Sequence, residues 1–253
     1  MALASPQMSI VDLRRHLERM ETHGRAGSTV LPFGVPEIDA RLPQGGLPRG
    51  HLHEAIEDGL ASQFAGLASL FVAGVAARLA GPVLWCLRGR DLFAPALARV
   101  GLHPDRVIFC ETWNDRDVLP AMEEGLKCSA LAAVIGEVTR LSLNASRRLQ
   151  LCAGESGVTA LIVRRWRYRT EKETTGEPNA AATRWRIAPQ PSPLGAFDGM
   201  PRQHWQLDLL RVRGGEPHSW IVEACDATGR LALPAALAER SAPASEQRHA
   251  ATG

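Results

Sequence analysis

Short apolar segments alternate with helix-like segments along most of this chain, and this alternation limits its fold more than any other feature. Residues 83–87 and 159–163 are largely apolar runs, and glycine, proline or polar residues separate such runs from the segments around them. Such runs are typical of strands buried on both faces of a sheet. Residues 142–154, by contrast, carry apolar side chains at helical spacing. The alternation predicts an α/β fold with a mainly parallel, twisted sheet and helices on both of its faces.

The same criteria assign the individual elements. The predicted strands cover residues 30–33, 52–56, 83–87, 107–110, 131–135 and 159–163, and the predicted helices residues 36–42, 60–79, 91–100, 115–127 and 142–154. Beyond residue 163 the pattern changes. Residues 164–178 are polar and charged, which predicts a surface loop. Residues 185–187, 204–212 and 218–224 alternate in polarity, which predicts antiparallel strands.

Three units follow from this organisation. We expect an amphipathic helix and linker over residues 1–28, one α/β domain over residues 29–236, and a disordered tail over residues 237–253. In the first unit, apolar residues recur at helical spacing at Ile10, Leu13, Leu17 and Met20. That helix either packs on its own domain or docks on a neighbouring molecule, which makes a homo-oligomer one of the alternatives.

Composition narrows the class of protein. The five cysteines are scattered and form no C-x-x-C pair, which predicts reduced thiols in a cytoplasmic protein without a metal site. No apolar run reaches the length of a membrane span, and we expect no membrane association. The net charge of +2 does not by itself indicate a nucleic-acid binder.

A phosphate-binding loop is present in outline between the strand at 52–56 and the helix that follows. Residues 57–64 occupy the place of a G-x-x-x-x-G-K-[ST] turn, in which backbone N–H groups and lysine bind phosphate. Gln63 stands at the lysine position and Phe64 at the hydroxyl position that would bind magnesium. The degenerate site comprises Glu57, Gly59, Ser62, Gln63 and Phe64. We therefore expect no cofactor and no ATP hydrolysis, although a helix N-terminus retains some attraction for anions.

Basic and aromatic residues cluster after the strand at 159–163. The candidate binding residues are Arg164, Arg165, Trp166, Arg167, Tyr168, Arg169, Lys172, Arg184 and Arg186. Arginine contacts phosphate, and aromatic rings stack on unpaired bases. Arginine and tryptophan are also frequent in protein–protein hot spots. Contact with single-stranded DNA, contact with a protein, and an inert surface all remain open.

Two weaker patterns have simple structural explanations. Residues 206–210 resemble the short peptide that docks on the bacterial sliding clamp, but they also alternate like a half-buried strand. His51 and His53 share one face of a predicted strand, and a third metal ligand is not evident.

Two longer stretches resemble known proteins. Residues 34–50, GVPEIDARLPQGGLPRG, resemble the segment that precedes the phosphate-binding loop of RecA-type recombinases. Residues 209–231, LLRVRGGEPHSWIVEACDATGRL, are similar to the C-terminal part of the ImuA family. Over residues 30–235 the chain resembles that family, the RecA-like accessory proteins of the bacterial translesion mutagenesis complex within the RecA/SulA-like superfamily.

The resemblance implies a RecA-like core with C-terminal antiparallel strands and an N-terminal helix. It also implies that Gly136 replaces the aspartate that ends a strand in RecA proteins, with Glu137 beside it, and that Gly89 replaces the catalytic glutamate. The implied function is that of a non-catalytic adaptor in SOS-induced, error-prone translesion synthesis. Its implied partner is ImuB, a Y-family polymerase relative. An error-prone DNA polymerase, RecA and single-stranded DNA are further candidate partners. A SulA-like cell-division inhibitor and a RecA-like protein that retains ATP or DNA binding are the alternatives.

Overall fold

An eight-stranded sheet organises the protein in the computed structural model, which describes residues 30–60, 66–89, 92–166, 177–191 and 202–234, with the backbone alone at 58–60 and 166. The strands are β1 (Val30–Leu31), β2 (Leu47–Pro48), β3 (Leu52–Leu60), β4 (Val83–Arg88), β5 (Val107–Thr112), β6 (Ala133–Val138), β7 (Thr159–Trp166), β8 (Thr183–Gln190), β9 (His204–Val212) and β10 (His218–Glu223). The helices are α1 (Pro36–Asp39), α2 (Leu67–Ala77), α3 (Ala94–Arg99), α4 (Asp115–Leu126) and α5 (Leu143–Ser156). Short 3₁₀ turns lie at Pro43–Gly45 and Pro104–Arg106.

The strand order in the large sheet is β10-β9-β8-β3-β7-β6-β4-β5. The six strands from β8 to β5 are parallel, and β9 and β10 extend the sheet in antiparallel fashion. The predicted fold class is therefore confirmed. One detail was wrong: β8 was expected to be antiparallel, but it runs parallel to its neighbour β3 and antiparallel only to β9.

Helices cover both faces of the sheet. The sheet therefore separates the hydrophobic core into two layers. On one face, α2 and α3 pack against a large cluster in which Trp185 contacts Phe33 and Phe71, with ring centroids 5.5 and 5.7 Å apart. On the other face, α4 and α5 bury Met122 and Leu149 against the strands. Burial of each such side chain stabilises the fold by about 1.5–3 kcal/mol.

Several element boundaries differ from the sequence-based predictions. The strand predicted at 52–56 continues to Leu60, and the helix predicted from residue 60 begins at Leu67. The strand predicted at 159–163 continues to Trp166, so the first part of the expected loop is strand. The predicted N-terminal helix and C-terminal tail lie outside the described residues, and the proposed domain limits stay predictions.

The turn that follows β10 is inserted between α2 and α3. A Cβ atom added at Gly74 of α2 would lie 2.5 Å from the Cys225 sulfur, and one at Gly101 would lie 2.8 Å from the Ala227 carbonyl oxygen. A Cβ at Gly229, whose φ is +75°, would collide with the Gly74 carbonyl oxygen. Glycine is therefore required on both sides of this contact. We call residues 225–230 the C-terminal wedge.

Arg106 ties the end of α2 to the start of β5. Its guanidinium donates to the carbonyl oxygens of Ala77, Leu79 and Gly81 at the C-terminal end of that helix. A cation there satisfies carbonyl groups that lack partners within the helix. Among the described helices, none has the length and apolar character that a membrane crossing requires.

Candidate functional site

The first residues of the degenerate phosphate-binding loop belong to a strand. Glu57 and Gly59, predicted to lie in a turn, both belong to β3. Ser62, Gln63 and Phe64 lie outside the described residues. The described part of the chain resumes at Gly66, which is the N-cap of α2 with a left-handed φ of 110°.

Glu57 brings a carboxylate of the protein itself to the N-terminus of α2. Its side chain is buried, with 1% of the residue exposed. The Oε1 atom accepts a hydrogen bond from the backbone N–H of Gly66 at 3.0 Å. The first N–H groups of a helix attract anions, and here Glu57 supplies the negative charge. A phosphate brought to the same position would meet a carboxylate in a poorly solvated environment, where repulsion between like charges is strong.

Glu137 follows Gly136, the position at which RecA proteins have an aspartate. Its carboxylate is hydrogen-bonded and ion-paired within the protein. It lies within β6 and is buried. Its Oε1 accepts a hydrogen bond from Trp85 Nε1 at 2.9 Å, and its Oε2 forms an ion pair with Arg165 Nη1 at 2.7 Å. The carboxylate therefore holds three strands together. Gly136 lies inside the same strand rather than at its end, and Gly89 follows β4 with a φ of 85°.

Arg164 was expected in a surface loop, and this expectation was wrong. It lies in β7, and 1% of the residue is exposed. Its Nη1 atom donates to Glu54 Oε1 at 3.0 Å, and its Nε donates to the carbonyl oxygen of Thr139 at 2.9 Å. Burial lowers the pKa of this guanidinium, and the neighbouring Glu54 opposes that shift. Because DNA phosphate has no open route to this side chain, Arg164 serves the interior of the fold.

A second buried arginine contacts the same carboxylate. Arg184 Nε donates to Glu54 Oε2 at 2.5 Å, and Asn179 Nδ2 donates to that oxygen at 2.7 Å. Glu54 itself has no exposed surface. We call Glu54, Arg164, Arg184 and Asn179 the Glu54 network. It joins β3 to β7 and β8, the strands that precede and follow residues 167–176 in the chain.

The two other basic candidates with described side chains, Arg165 and Arg186, pair with other carboxylates. Arg165 points to the opposite face of the sheet, where it pairs with Glu137 and its side chain is 14% exposed. Arg186 pairs with Asp208 at 2.7 Å, and its side chain is 42% exposed. Trp166 ends β7. Arg167, Tyr168, Arg169 and Lys172 lie outside the described residues, as do the docking candidates Ile10, Leu13, Leu17 and Met20. Their roles stay predictions.

His53, one of the two paired histidines, has a structural hydrogen-bond partner at each ring nitrogen. His53 bonds through Nε2 to the carbonyl oxygen of Pro48 at 2.7 Å and through Nδ1 to the Thr183 hydroxyl at 2.8 Å. Burial lowers the pKa of His53 to about 3, which keeps the ring neutral. Within the described residues, no group of three or more metal-ligating side chains comes together.

Residues 206–210, which resemble a peptide that binds the sliding clamp, also have a structural role. It lies within β9, in the interior of the sheet, and Leu207 and Leu209 have no exposed surface. The interpretation of this segment as a half-buried strand is confirmed. Releasing it to bind another protein would require two strand pairings to break.

Sequence reasoning missed the exposure of several large apolar residues on β5 and near helix α3. Ile108 and Phe109 belong to β5, Trp113 follows it, and Phe93 is the N-cap of α3. These residues are 54%, 40%, 94% and 70% exposed, in that order. Residues 107–110 were predicted only as a strand, and an apolar strand at a sheet edge looks the same in sequence as one in the middle.

Comparison with known proteins gives one group of relatives. No family model matches the chain. Two proteins named "Protein ImuA", from Caulobacter vibrioides strains NA1000 / CB15N and ATCC 19089 / CIP 103742 / CB 15, are each 35% identical to it over 218 residues. The matched region covers 82% of this chain and 88% of each relative.

Proposed function

The chain belongs to the ImuA family, and we propose that it is a non-catalytic, RecA-like adaptor in SOS-induced, error-prone translesion DNA synthesis. The observation that carries the non-catalytic part is the contact between the Glu57 carboxylate and the N-terminus of α2. In an ATP-binding relative of this fold, phosphate takes that position.

The remaining groups of an ATPase site support the same proposal. A P-loop ATPase needs a lysine on the β- and γ-phosphates, a hydroxyl and an aspartate on magnesium, and a residue that positions water. Gln63 and Phe64 lack the first two functions. Glu137 is already bound to Trp85 and Arg165. Nucleotide would therefore have to displace contacts that stabilise the protein's own core.

The partners that we propose follow from the family resemblance. ImuB is the principal partner, and an error-prone DNA polymerase, RecA and single-stranded DNA are further candidates. The basic residues between positions 167 and 172 follow β7 in the sequence, and Arg164 of the Glu54 network belongs to that strand. In this proposal the sheet is a rigid platform, and adaptor function consists of non-covalent contacts on its surface.

A nucleotide titration tests the non-catalytic part. Purified protein is titrated with ATP and with ADP by calorimetry in the presence of Mg²⁺, and ATP turnover is measured in parallel. We expect neither binding nor turnover at millimolar nucleotide. Binding in the micromolar range or measurable turnover would favour an active RecA-like protein instead.

Affinity purification from DNA-damaged cells, with mass spectrometry of the bound proteins, tests the adaptor part. Recovery of ImuB, alone or with the error-prone polymerase or RecA, is the expected result. Recovery of the tubulin-like division protein, together with division arrest on overexpression, would instead assign the chain to the SulA-like class. Recovery of none of these partners would contradict the adaptor proposal.

A further inference from the structure

We propose that Cys86 and Cys110 are a modification site, at which a hydroperoxide forms a reversible disulfide between β4 and β5. The two residues are register partners on these neighbouring parallel strands, and both are free thiols in the structure. The inference goes beyond the proposed adaptor function and does not depend on it, because it requires two side chains of the sheet and no partner protein.

The strand register places both thiols on the same face of the sheet. Paired residues on neighbouring strands point their side chains to the same side. Cys86 belongs to the buried cluster beneath α4 and α5, and Cys110 packs against that cluster. A side-chain hydrogen bond joins the two thiols. The two sulfur atoms are therefore neighbours in the folded protein.

The spacing of the strands permits a disulfide but strains it. Neighbouring strands lie about 4.7–4.9 Å apart, and the Cα atoms that a disulfide joins are usually about 4.4–6.8 Å apart. The two Cβ atoms of a disulfide approach to about 3.8 Å, so the bond has to draw these side chains together by about 1 Å. Strained disulfides are reduced easily, which is typical of regulatory rather than structural bonds.

The surroundings of Cys86 favour Cys110 as its partner. On the other side of Cys86 the register partner is Gly136, which has no side chain, and Met122 of α4 fills the space above that glycine. Cys225 belongs to the cluster on the opposite face of the sheet. The remaining cysteines lie outside the sheet, at Cys128 and Cys152.

The different exposure of the two thiols assigns them different roles. Cys110 is half-buried and can meet a dissolved oxidant, whereas Cys86 has no exposed surface. Burial, the neighbouring charge of Cys110 and the hydrogen bond with its thiol raise the pKa of Cys86 to about 12, so Cys86 stays protonated near neutral pH. Cys110 is therefore the thiol that reacts with the oxidant, and Cys86 is the thiol that reacts with its product.

The reaction proceeds in two steps. The Cys110 sulfur attacks one oxygen of the hydroperoxide, so that an S–O bond forms, the O–O bond breaks, and the alcohol or water leaves with the thiol proton. Cys110 is now a sulfenic acid. The Cys86 sulfur then attacks the Cys110 sulfur, so that the S–S bond forms, the S–O bond breaks, and hydroxide leaves as water with the Cys86 proton. Two thiols are oxidised to one disulfide, and the hydroperoxide is reduced.

A transient disulfide is consistent with the reducing cytoplasm that we expect for this protein. In such a compartment the disulfides that do form are usually short-lived and catalytic or redox-sensing. A thiol reductant restores the pair by exchange through a mixed disulfide. The site would therefore be oxidised only while hydroperoxide is present.

Peptide mapping of the oxidised full-length protein tests the inference. The folded protein is treated with hydrogen peroxide, the remaining thiols are blocked with N-ethylmaleimide in denaturant, and the chain is digested with trypsin without reduction. Trypsin cleaves after Arg88 and Arg106, so Cys86 and Cys110 fall on separate peptides. We expect a linked species that is two hydrogen atoms lighter than the two peptides together and that dithiothreitol removes.

Two variants distinguish this pair from the other thiols. Cys110→Ala should abolish the linked species and leave Cys86 reduced, because Cys86 itself is not exposed. The control, Cys128→Ala, removes an exposed cysteine that lies outside the strands and should give as much linked species as the unmodified chain. Circular dichroism establishes that both variants are folded before they are oxidised.

Three results would overturn the proposal. The first is sulfenic or sulfinic acid on Cys110 with Cys86 unmodified and without a linked peptide. The second is a disulfide from Cys110 to another copy of the chain, visible as a dimer on a non-reducing gel. The third is a link of Cys110 to Cys128 or Cys152 instead of Cys86. Each of them leaves the adaptor function untouched, because affinity purification tests that function separately.

Discussion

Replacement of Glu54 by glutamine should destabilise the protein strongly although it changes side-chain volume very little. The carboxylate forms ion pairs with two guanidinium groups, those of Arg164 and Arg184, whose side chains are 1% and 9% exposed. Without it, both cations remain in an environment with little solvent. Removal of one partner of a buried ion pair costs about 3–5 kcal/mol because the other charge stays buried. In a domain of this size, each kcal/mol shifts the melting temperature by about 2–4 °C. The expected decrease is therefore about 6–20 °C.

A matched control separates burial from loss of charge. Glu123→Gln removes the same charge from a pair with Arg148 at 2.9 Å, in which the side chains are 23% and 57% exposed. Such pairs contribute about 0–1 kcal/mol, so its melting temperature should change by less than about 4 °C. Urea unfolding followed by tryptophan fluorescence, with differential scanning fluorimetry, measures both variants.

The double variant Glu54→Gln/Arg164→Leu extends the test. It should be less destabilised than the sum of its single variants, because Arg164→Leu removes one of the two buried cations that lose the Glu54 charge. If Glu54→Gln melts within about 2 °C of the unmodified protein, the reasoning from buried charge is refuted.

Two further perturbations are expected to act through burial and backbone conformation. The folded-state pKa of His53 is lowered to about 3, so below the usual value of 6.5 the unfolded chain binds the proton first and stability is lost as the pH falls. Between pH 7.5 and 5.5 the unmodified protein should lose about 1.4 kcal/mol more stability than His53→Asn does, a difference that urea titrations at the two pH values would detect, and parallel curves would contradict the prediction. Gly229→Ala should cost about 2–5 kcal/mol, since it combines a left-handed backbone with a collision in the C-terminal wedge. Gly214→Ala, with a φ of 78° and open space around it, should cost only about 1–2 kcal/mol, and equal melting temperatures for the two variants would count against the wedge contact.

Local sequence patterns were sufficient to predict the alternation of elements but not their neighbours. The strands at 83–87 and 107–110 were recognisable because each is a short run of apolar residues. The parallel pairing of β8 with β3 was not predicted, because residues 183–190 alternate in polarity as an antiparallel strand does. Alternation shows that a strand has two different faces and says nothing about the direction of its neighbour.

The candidate site was predictable where it depended on missing groups and unpredictable where it depended on distant contacts. The substitutions at Gln63 and Phe64 can be read directly from the sequence. The burial of Arg164 could not be, because its partner Glu54 lies 110 residues earlier in the chain. An arginine in a polar run resembles a surface residue unless the buried carboxylate that it contacts is known. The hydrogen bond between Glu57 and Gly66 could not be predicted either, because Glu57 was expected to lie in a turn.

The C-terminal wedge has a consequence for how the protein is made. Gly74 enters the growing chain early, but the turn that packs against it is synthesised roughly 150 residues later, which takes roughly 8–30 s at usual rates of translation. During that interval the small-residue face of α2 has no cover from the wedge, and the nascent domain stays open on that side. Released chains that stop before Cys225 should therefore be more sensitive to protease and bind chaperones for longer than released chains that extend past Leu231.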